Sequence, residues 1–482
     1  MTPSPARRPS SAAARDRRGL AAVILAAGKG KRMRSGTPKV LHDLCGRPVL
    51  WHALHVARAA RPERLIIVVS GDAVPIRDAV ASWRVTPEPV FVDQGDPLGT
   101  GHAVLAAEEA VGKVAEVLVV GGDYDPVIPD HVRALLRLHR RSGSAASILT
   151  ADVDVPGGLG RVVRDGTRLV QIVEGTDADP RLLALHEVST LVFAFRRDDL
   201  FEALPLVGRE NRQREHYLNH VFPILLDKGE RVSALKVDVG RAMGANSPSG
   251  AAAVRAVVQE RILAGHMARG VRLVDPATTY VDITVTIAPD AVIQPMTFLQ
   301  GSTRIGAGAT IGPSTRIVDS TVGEGADVTF SVVRGARIGP RAAVGPYASI
   351  RPGTVLDEGA KAGSFVEIKS SRVGKRSKVP HLSYIGDALI GRDTNVGAAT
   401  VTVNYDGFDK HRTVIGDEVH IGSDTMLVAP VRIGKRAWTG AGSVITKDVP
   451  PGSLAVERTE QRVVPGYDER KRRRREQGRN RG

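Results

Sequence analysis

The feature that most constrains this chain is a set of aliphatic residues that recur every six positions between about residues 287 and 445. Neither an α-helix nor a hairpin sheet has a reason to keep this period. A parallel β-solenoid does, because each short strand points one aliphatic side chain inward and stacked coils bury a continuous column. Glycine often follows the aliphatic residue, and we interpret it as the corner between strands. The predicted column is Ile287, Ile293, Leu299, Ile305, Ile311, Ile317, Ile338, Val344, Ile350, Leu356, Ala362, Ile368, Val373, Val379, Ile385, Ile390, Val396, Thr402, Ile415, Ile421, Leu427, Ile433, Thr439 and Ile445.

The first half of the chain alternates buried strands with helical segments, which favours a parallel, doubly wound α/β sheet. The first predicted strand runs into a glycine-rich turn that contains Gly28, and Lys39 follows shortly after. Glycine lets the backbone approach a phosphate, and lysine supplies positive charge. The turn therefore predicts a phosphate-binding site. The predicted strands lie at residues 20–27, 65–69, 90–92 and 117–120.

Most of the net charge of +15 lies at the two ends of the chain. Residues 1–18 contain five arginines, and residues 470–481 contain eight basic residues. We predict a disordered basic arm at residues 1–18 and a disordered basic tail at residues 461–482. The tail is either a solvated extension, which we favour, or an arm for nucleic acid or another anionic surface. Nucleic acid is expected to bind, if at all, only there.

Cysteine usage and hydropathy point to a cytoplasmic protein. The single cysteine, Cys45, provides no disulfide framework, which is typical of a reducing compartment. No apolar run approaches the roughly 18 residues that span a bilayer, and the N-terminus lacks the apolar segment of a secretory signal.

Several motifs carry a resemblance to known enzymes. LAAGKGKRM followed by PKVLH resembles the signature of sugar-nucleotide pyrophosphorylases, and DPLGTGHA, GGD, GLGR and GAN follow in matching order. In the second half stand IRPG, SFVEIK, HLSYIGD, NVGAAT, NYDG and IGSDTMLVAP. Over roughly residues 20–460 this set is similar to the family of bifunctional enzymes that combine N-acetylglucosamine-1-phosphate uridylyltransferase with glucosamine-1-phosphate N-acetyltransferase.

The resemblance implies an architecture. An α/β Rossmann-like nucleotidyltransferase domain would span residues 19–247, a linker helix residues 248–275, and a left-handed parallel β-helix of the hexapeptide-repeat type residues 276–460. The left hand is implied by the family and not by the period. Such β-helices assemble as homotrimers with active sites between neighbours, so a homotrimer is implied as well.

For the second half, the resemblance implies acetyl transfer from acetyl-CoA to the amine of glucosamine 1-phosphate, with His381 as the general base. Glucosamine 1-phosphate would be held by residues that match the family's sugar-phosphate site, namely Arg351, Lys369, Tyr384, Asn395 and Lys410. Acetyl-CoA would contact Ala398, Asn404, Tyr405, Ser423, Ala441 and Arg458.

For the first half, the resemblance implies uridylyl transfer from UTP to N-acetylglucosamine 1-phosphate, giving UDP-N-acetylglucosamine and pyrophosphate for cell-wall precursor synthesis. Mg²⁺ would be held by Asp123 and Asn246, since magnesium prefers oxygen ligands. The UTP and sugar contacts would be Leu25, Ala26, Gly28, Lys39, Gln94, Gly99, Thr100, Gly160, Glu174, Ser189 and Asn246.

The first half also departs from the family pattern around the sugar. The family's Asn-Thr-Gly string appears as Ser189-Thr190-Leu191, and Gly121 replaces a tyrosine. Asn219 and His220 replace Thr-Asp, and in the second half Ala399 replaces a glycine. Three hypotheses therefore stand: a bifunctional enzyme, an acetyltransferase whose first site is degenerate or altered in specificity, and a non-catalytic scaffold. His381, Arg351 and Lys369 argue against the scaffold.

Overall fold

The computed structural model of the protein describes residues 19–28, 30–123, 126–240, 243–244 and 247–479. The chain divides into two compact units, Met1–Ala264 and Gly265–Gly482. The predicted basic arm at residues 1–18 and the predicted metal ligand Asn246 lie outside the described residues.

The first unit is built on one twisted sheet in the order β11-β7-β10-β6-β1-β4-β5, to which β8 and β9 are attached. Helices cover both faces. The strands are β1 Leu20–Leu25, β2 Asp43–Leu44, β3 Arg47–Pro48, β4 Arg64–Val69, β5 Val90–Asp93, β6 Glu116–Gly121, β7 Ala146–Asp152, β8 Arg161–Asp165, β9 Arg168–Val173, β10 Glu187–Arg196 and β11 Val232–Lys236, where β2 and β3 form a separate ribbon. The helices are α1 Val49–Arg58, α2 Val74–Ser82, α3 Thr100–Ala106, α4 Glu108–Val111, α5 Pro129–Ser142, α6 Pro180–Leu183, α7 Arg197–Ala203, α8 Val221–Asp227 and α9 Pro248–Met267.

The sheet has two cores because alternate residues of its central strands point to opposite faces. Ala22 and Ile24 of β1 lie in the core beneath α1 and α5, whereas Ala21 and Val23 lie in the core on the other face. This is the double winding that the sequence predicts. The carboxyl end of β1 consequently opens beside the ends of its parallel neighbours β4 and β6.

One strand departs from the predicted parallel sheet. β10 runs antiparallel to both of its neighbours, β6 and β7. Parallel strands need a crossover of a dozen or more residues, usually with a helix. The segment before β10 holds only α6, of four residues, and β8 and β9 form an antiparallel pair. The sheet is therefore mixed, and the prediction of a wholly parallel sheet is wrong for β10.

Helix α9, which the sequence predicts as a linker over residues 248–275, ends at Met267. Val254 and Val258 of this helix lie in the core of the first unit. Its Arg255 guanidinium forms an ion pair with Asp43 of β2, with 3.0 Å between Nη2 and Oδ2. These contacts make the first part of α9 a packed element of the α/β unit.

The second unit is a left-handed parallel β-helix with three sheets, as predicted. Each strand pairs in parallel with the strand one coil further along. Sheet 1 consists of Arg272–Leu273, Val292–Ile293, Thr310–Ile311, Asp327–Val328, Ala343–Val344, Lys361–Ser364, Lys378–His381, Asn395–Val396, His420–Ile421, Trp438–Thr439 and Leu454–Ala455. Sheet 2 consists of Tyr280–Val281, Phe298–Gln300, Arg316–Val318, Val332–Arg334, Ser349–Ile350, Glu367–Lys369, Tyr384–Gly386, Val401–Val403, Met426–Val428 and Val444–Ile445. Sheet 3 consists of Thr286–Ile287, Arg304–Ile305, Thr321–Val322, Arg337–Ile338, Val355–Leu356, Arg372–Val373, Ala388–Ile390, Thr413–Ile415 and Val431–Ile433.

The three sheets of the β-helix form the sides of a triangular prism. The aliphatic column lies inside this prism. Every residue predicted for it is at most 6 % exposed, including the two threonines, Thr402 and Thr439. The hydroxyl of Thr402 donates to the carbonyl of Gly386 at 3.0 Å, so its polar atom is satisfied inside the core. The first strand of the prism begins at Arg272, four positions before the predicted start at residue 276.

Most of the repeated glycines have a different role from the one predicted, although Gly312 and Gly345 do have positive φ, of 99° and 106°. A Cβ added to Gly374 would lie 2.3 Å from the carbonyl oxygen of Gly391 in the next coil, yet Gly374 is not in the left-handed region. The left-handed corner comes two residues later, at Arg376 with φ 59°. Asp393 follows Gly391 by the same interval with φ 56°. Gly374 and Gly391 are needed because successive coils approach closely, and the left-handed residues at their corners are Arg376 and Asp393.

The C-terminal segment also differs from the prediction of a disordered tail. Helix α10 spans Tyr467–Arg479. Asp468 and Glu469 stand in its first turn, where acidic side chains favour a helix, and Asp468 pairs with Arg472 one turn later at 2.7 Å. Its described side chains are exposed on all sides. Within the described part of the chain, no helix is long and apolar enough to cross a membrane.

The glycine contacts give a test of the β-helix. We expect Gly374→Ala to lower the thermal unfolding temperature, because the added methyl group forces two coils apart, at a cost of about 1–3 kcal/mol. Differential scanning calorimetry of the full chain measures this change.

Gly265→Ala is the matched control, since a Cβ there meets only the end of the Arg269 side chain, at 3.7 Å, and the position is helical. Alanine favours a helix over glycine by up to about 1 kcal/mol. Equal unfolding temperatures for the Gly374→Ala variant and the parent would contradict the close-approach explanation.

Candidate functional sites

The first unit has a cavity of about 210 Å³ at the carboxyl ends of β1 and β6. In an α/β sheet this is the edge where ligands bind. The cavity brings together seven of the residues predicted to contact UTP, the sugar or the metal, and adds others that the sequence did not single out. Its lining is Leu25, Ala27, Gly28, Lys39, Val40, Gln94, Pro97, Gly99, Thr100, Ala103, Gly121, Asp123, Leu191 and Glu215.

Lys39 and Asp123 form the charged centre of this cavity. The ammonium Nζ of Lys39 donates to Oδ2 of Asp123 at 2.7 Å, and both side chains are mostly buried. Gly30 makes room for this lysine, because a Cβ at Gly30 would lie 2.7 Å from that of Lys39. Gly28, by contrast, faces open space. The predicted phosphate turn therefore positions a lysine beside a carboxylate and leaves its first glycine facing the cavity.

Gln94 provides a buried polar group aimed into the cavity. Its backbone NH donates to the carbonyl of Val69 at 3.0 Å, which fixes it at the edge of the sheet. The side chain is 8 % exposed, and among the described residues no hydrogen-bond partner reaches its Oε1. A buried acceptor without a partner is costly in a folded protein. A ligand that offers a donor at this point would satisfy it.

Gly99 and Thr100 hold the neighbouring wall of the cavity. Gly99 has φ 116°, and a Cβ there would lie 2.6 Å from the carbonyl oxygen of His216. The Thr100 hydroxyl accepts a hydrogen bond from the backbone NH of Leu218 at 2.9 Å. The segment around His216 is thereby pressed against the start of α3. Only glycine fits at position 99 for both reasons.

A second polar group lies next to this cavity around Glu174. The Asn219 amide donates to Oε1 of Glu174 at 2.6 Å, and Gly160 allows both to approach, since a Cβ there would lie 3.3 Å from the amide. Burial raises the pKa of Glu174, while the hydrogen bond from Asn219 opposes this rise. Among the described residues no partner reaches Oδ1 of Asn219. Ser189 joins the group through its backbone NH, which donates to Gly160 at 2.9 Å.

One predicted contact is placed differently, and one residue that was not predicted lines the cavity. Ala26 is buried, and its neighbour Ala27 lines the cavity instead. Glu215 lines the cavity although it was not predicted; no motif marked it, because it lies in an irregular segment and reaches the site only through the contact between Gly99 and His216.

In the second unit, three cations meet on sheet 2. Lys369 ends the strand Glu367–Lys369 of this sheet, Arg351 directly follows the strand Ser349–Ile350, and the loop at residues 404–412 brings Lys410 next to the Lys369 amine. The pKa of Lys410 is lowered by the adjacent amine of Lys369, through hydrogen bonding and repulsion, with a smaller contribution from Arg351. Cations that repel one another in this way favour an anion between them. The group suits the phosphate of a small molecule.

Asp387 holds part of this group in place and was not predicted. Its Oδ2 accepts hydrogen bonds from Lys369 at 3.2 Å and from the Asn404 amide at 2.5 Å. Glu367 pairs in the same way with Arg351 at 2.7 Å. Both acids stand 16–18 residues from their partners, which is one coil of the β-helix. That interval was the sequence signal that could have identified them.

The loop that interrupts the six-residue count has its own support. The Asp406 carboxylate accepts from the backbone NH groups of Phe408 and Asp409 and pairs with His411. These contacts hold the pKa of Asp406 well below its usual range, and the backbone hydrogen bond from Asp409 has the largest effect. Tyr405, predicted to contact acetyl-CoA, is exposed, and its hydroxyl donates to the carbonyl of Gly407 at 2.6 Å.

His381 and three predicted coenzyme contacts lie on one line. The register of sheet 1 places His381, Ala398, Ser423 and Ala441 at equivalent positions in four successive coils. With about 4.8 Å between coils, the line is about 14 Å long. Arg458 closes it, since its guanidinium donates to the carbonyl of Ala441 at 3.1 Å. The line therefore begins at the exposed His381, continues through three small residues and ends at Arg458.

Tyr384 and Asn395 are separated in the structure. The Tyr384 hydroxyl lies near Gly386 and Asn404, since a Cβ at Gly386 would meet both side chains within 2.8 Å. Asn395 belongs to sheet 1, between Lys378 and His420 in register. A single chain thus places Asn395 on a different face from the cation group. Ala399, which replaces a glycine, has φ 60° at a corner.

These two sites define a class: an α/β nucleotidyltransferase unit followed by a β-helix with an acyl-transfer type of site. The comparisons with known proteins agree. Residues 22–219 match the family described as MobA-like NTP transferase domain. The chain is 46 % identical over 460 residues to the bifunctional protein GlmU of Streptomyces avermitilis, covering 94 % of this chain and 95 % of that protein. It is 44 % identical over 458 residues to the bifunctional protein GlmU of Mycobacterium tuberculosis, covering 94 % of this chain and 92 % of that protein.

The chain belongs to the bifunctional GlmU family. The family predicted from the motifs is therefore confirmed, as are the two fold classes. The hypothesis of a non-catalytic scaffold is not supported by this membership.

The Asp387 contacts give a kinetic test. We expect Asp387→Asn to lower kcat/KM for acetyl transfer about 10–100-fold, because a charge-assisted hydrogen bond contributes roughly 1.5–3 kcal/mol. Asparagine tolerates the left-handed backbone at this position, where φ is 50°.

Asp393→Asn is the control, because Asp393 is also left-handed and pairs with an arginine, Arg376 at 2.6 Å, at a corner away from the cations. Steady-state rates of both variants with glucosamine 1-phosphate decide the matter. A loss of equal size in both would assign Asp387 a purely structural role.

Proposed function

We propose that the protein catalyses two steps in the synthesis of UDP-N-acetylglucosamine, a precursor of the cell wall. The β-helix transfers an acetyl group from acetyl-CoA to glucosamine 1-phosphate. The α/β unit then joins the product to the uridylyl group of UTP and releases pyrophosphate. Family membership supports both activities, and the line from His381 to Arg458 is the observation that carries the first.

In the acetyl transfer, the phosphate of glucosamine 1-phosphate lies among Arg351, Lys369 and Lys410. His381 takes a proton from the sugar ammonium, because only the neutral amine is a nucleophile. The neutral amine attacks the thioester carbonyl, the carbon–sulfur bond breaks, and the departing thiolate takes up the second proton that the nitrogen loses as the amide forms. The small side chains of Ala398, Ser423 and Ala441 leave room for the pantetheine arm. Within the described residues, no hydrogen bond restrains the His381 ring.

In the uridylyl transfer, Gln94 is the residue that selects the base. Its unpaired Oε1 suits the N3–H donor of uracil, and its amide can donate to a ring carbonyl. Lys39 neutralises charge on the triphosphate beside Asp123. The Glu174–Asn219 pair faces the sugar. These assignments support a nucleotide that lies along the carboxyl edge of β1 and β6.

The donor set also fits Mg²⁺, because this ion takes one or two carboxylates together with phosphate oxygens and water. Asp123 supplies a carboxylate at the cavity, and the described residues contain no larger cluster of His, Cys, Asp or Glu that would hold a metal by itself. Asn246, the second proposed ligand, lies outside the described residues. When bound, the ion offsets charge on the triphosphate.

We further propose that three chains assemble as a homotrimer. The side chains of Phe330, Tyr347, Phe365 and Leu382 form an exposed apolar stripe along one corner of the prism, and the rings of Tyr347 and Phe365 stack at 5.2 Å. Exposed apolar stripes of this kind mark protein contacts. Leu382 directly follows His381, and a neighbouring chain could supply an Asn395. A sedimentation mass of a single chain would contradict the trimer.

We also propose that both reactions take place in the cytoplasm, where acetyl-CoA and UTP are available. Cell fractionation followed by immunoblotting checks this location. Recovery of the protein mainly outside the cytoplasmic fraction would contradict it.

For the acetyltransferase, we expect His381→Ala to lower acetyl transfer on the order of 10²–10⁴-fold, since the general base is lost. Acetyl-CoA should still bind, because its proposed contacts lie along the rest of the line. Thiol release from acetyl-CoA and calorimetric binding of the coenzyme measure the two effects. A variant that acetylates glucosamine 1-phosphate at the parent rate contradicts the assignment.

For the uridylyltransferase, we expect Gln94→Leu to lower kcat/KM for UTP about 100-fold or more, since leucine keeps the size but offers no hydrogen bond. The measurement is pyrophosphate release with Mg²⁺ and N-acetylglucosamine 1-phosphate. Gln461→Leu is the control, because Gln461 has an exposed side chain and belongs to the second unit. An unchanged rate for UTP in the Gln94 variant would remove Gln94 from base recognition.

A further inference from the structure

Leu191 is the feature of the nucleotide cavity that the proposed chemistry does not use. It belongs to β10, lines the cavity, and has φ 51°, in the left-handed region. A branched, bulky residue rarely adopts this conformation, and residues that do so cluster at functional sites. The backbone at Leu191 is therefore strained, and a functional role of the leucine side chain would account for this strain.

The backbone around Leu191 is held by its neighbours. The register between β10 and β7 shifts between Ser189 and Phe193, so the strand bulges here. Thr190 donates its hydroxyl to the carbonyl of Leu149 at 2.9 Å, and the Ser189 hydroxyl accepts from the NH of Leu191 at 3.3 Å. A bulge of this kind re-aims a side chain. The result is that residue 191 is turned toward the carboxyl end of β6.

The Leu191 side chain lies over Gly121 and close to the Asp123 carboxylate. A Cβ built on Gly121 would be 3.0 Å from the Cβ of Leu191 and 3.1 Å from Oδ1 of Asp123. The glycine thus leaves a space that the leucine occupies. The Leu191 side chain therefore forms an apolar wall beside the Lys39–Asp123 pair, on the side of the cavity nearest Ser189.

We infer that Leu191 is a specificity-determining residue of the nucleotidyltransferase site, which limits the size of the substituent on the sugar 1-phosphate that can lie beside Asp123. This rests on the proposed uridylyl transfer and adds to it a residue that limits the size of the acyl group on the acceptor. The acceptor is a hexosamine 1-phosphate with a small N-acyl group. Longer N-acyl groups collide with the isobutyl side chain, and the bulge prevents the wall from moving aside.

The test compares two acceptors, N-acetylglucosamine 1-phosphate and N-butyrylglucosamine 1-phosphate, in the full chain with UTP and Mg²⁺. Leu191→Ala removes the wall but keeps a Cβ, whereas Leu191→Gly also relieves the backbone. We expect the ratio of kcat/KM for the butyryl over the acetyl acceptor to rise at least about tenfold in both variants, since each methylene in a pocket is worth roughly tenfold or more.

Two control variants separate this role from packing and from strain. Ile224→Ala removes a partly buried side chain from the core that Leu191 also contacts. Arg61→Gly relieves an exposed left-handed residue, with φ 52°, outside the cavity. Both are expected to change the unfolding temperature and to leave the acceptor ratio unchanged. An acceptor ratio that is the same in the parent and in both Leu191 variants overturns the inference while the proposed function stands.

A parent that releases no pyrophosphate with any acceptor would overturn the proposed uridylyl transfer by itself. Leu191 would then be tested by calorimetric binding of UDP-N-acetylglucosamine and UDP-N-butyrylglucosamine. A preference for the acetyl compound that disappears in Leu191→Ala supports the wall. Equal preference in parent and variant, or no binding of either compound, overturns it.

Discussion

The close approach of one coil to the next is the constraint on which the β-helix depends. Parallel strands of two to four residues can pair only if each coil repeats the height of the last, and the glycines after the aliphatic residues allow this. At Gly391 and Gly416 an added Cβ would lie within 2.8 Å of backbone in the following coil. The same stacking sets the positions of functional groups. Any side chain that points outward has a neighbour one coil away at a fixed interval.

This stacking explains how the acetyltransferase site is assembled from residues distant in sequence. The line from His381 to Ala441 exists because the register repeats without slipping through four coils. The ion pairs of Lys369 with Asp387 and of Arg351 with Glu367 use the same interval on sheet 2. Each acid lowers the cost of placing like charges side by side. The loop bearing Lys410 is the exception, and it needs Asp406 to hold its shape.

The sequence was sufficient for those parts of the fold that follow from a repeating pattern. All residues of the predicted aliphatic column are buried, because a period of six has one solution in which each strand contributes inward. The role of Gly374 was not predictable from local preference, since the contact that requires glycine is made with another coil. The antiparallel direction of β10 escaped prediction for a related reason: α6 is too short for a crossover, but a strand and its neighbour cannot be matched from spacing alone.

The same distinction between local pattern and contact with another coil applies to the residues of the candidate sites. Motif strings marked His381, Lys369, Gln94 and Asp123, the residues that we propose contact the substrates or the metal directly. Asp387 acts through other residues, and its partners are recognisable only once the length of a coil is known.

The two sites differ in how their residues are held in place. This difference is relevant to the positions at which the chain departs from the residue pattern of its family. In the β-helix the site residues sit on a ladder in which every position is fixed by two adjacent coils. A change such as Ala399 is absorbed at a corner, where left-handed residues other than glycine are common. In the α/β unit the side of the cavity that we propose for the sugar is built from a bulge, a strand end and an irregular segment. A larger side chain at one position there can fill the space that a smaller residue leaves at another, as Leu191 does beside Gly121. Buried polar atoms such as Oδ1 of Asn219 can await a ligand without a fixed partner. Sequence change on this side of the cavity can therefore alter which acceptor fits, as we propose for Leu191, while the Lys39–Asp123 pair and Gln94 keep their geometry.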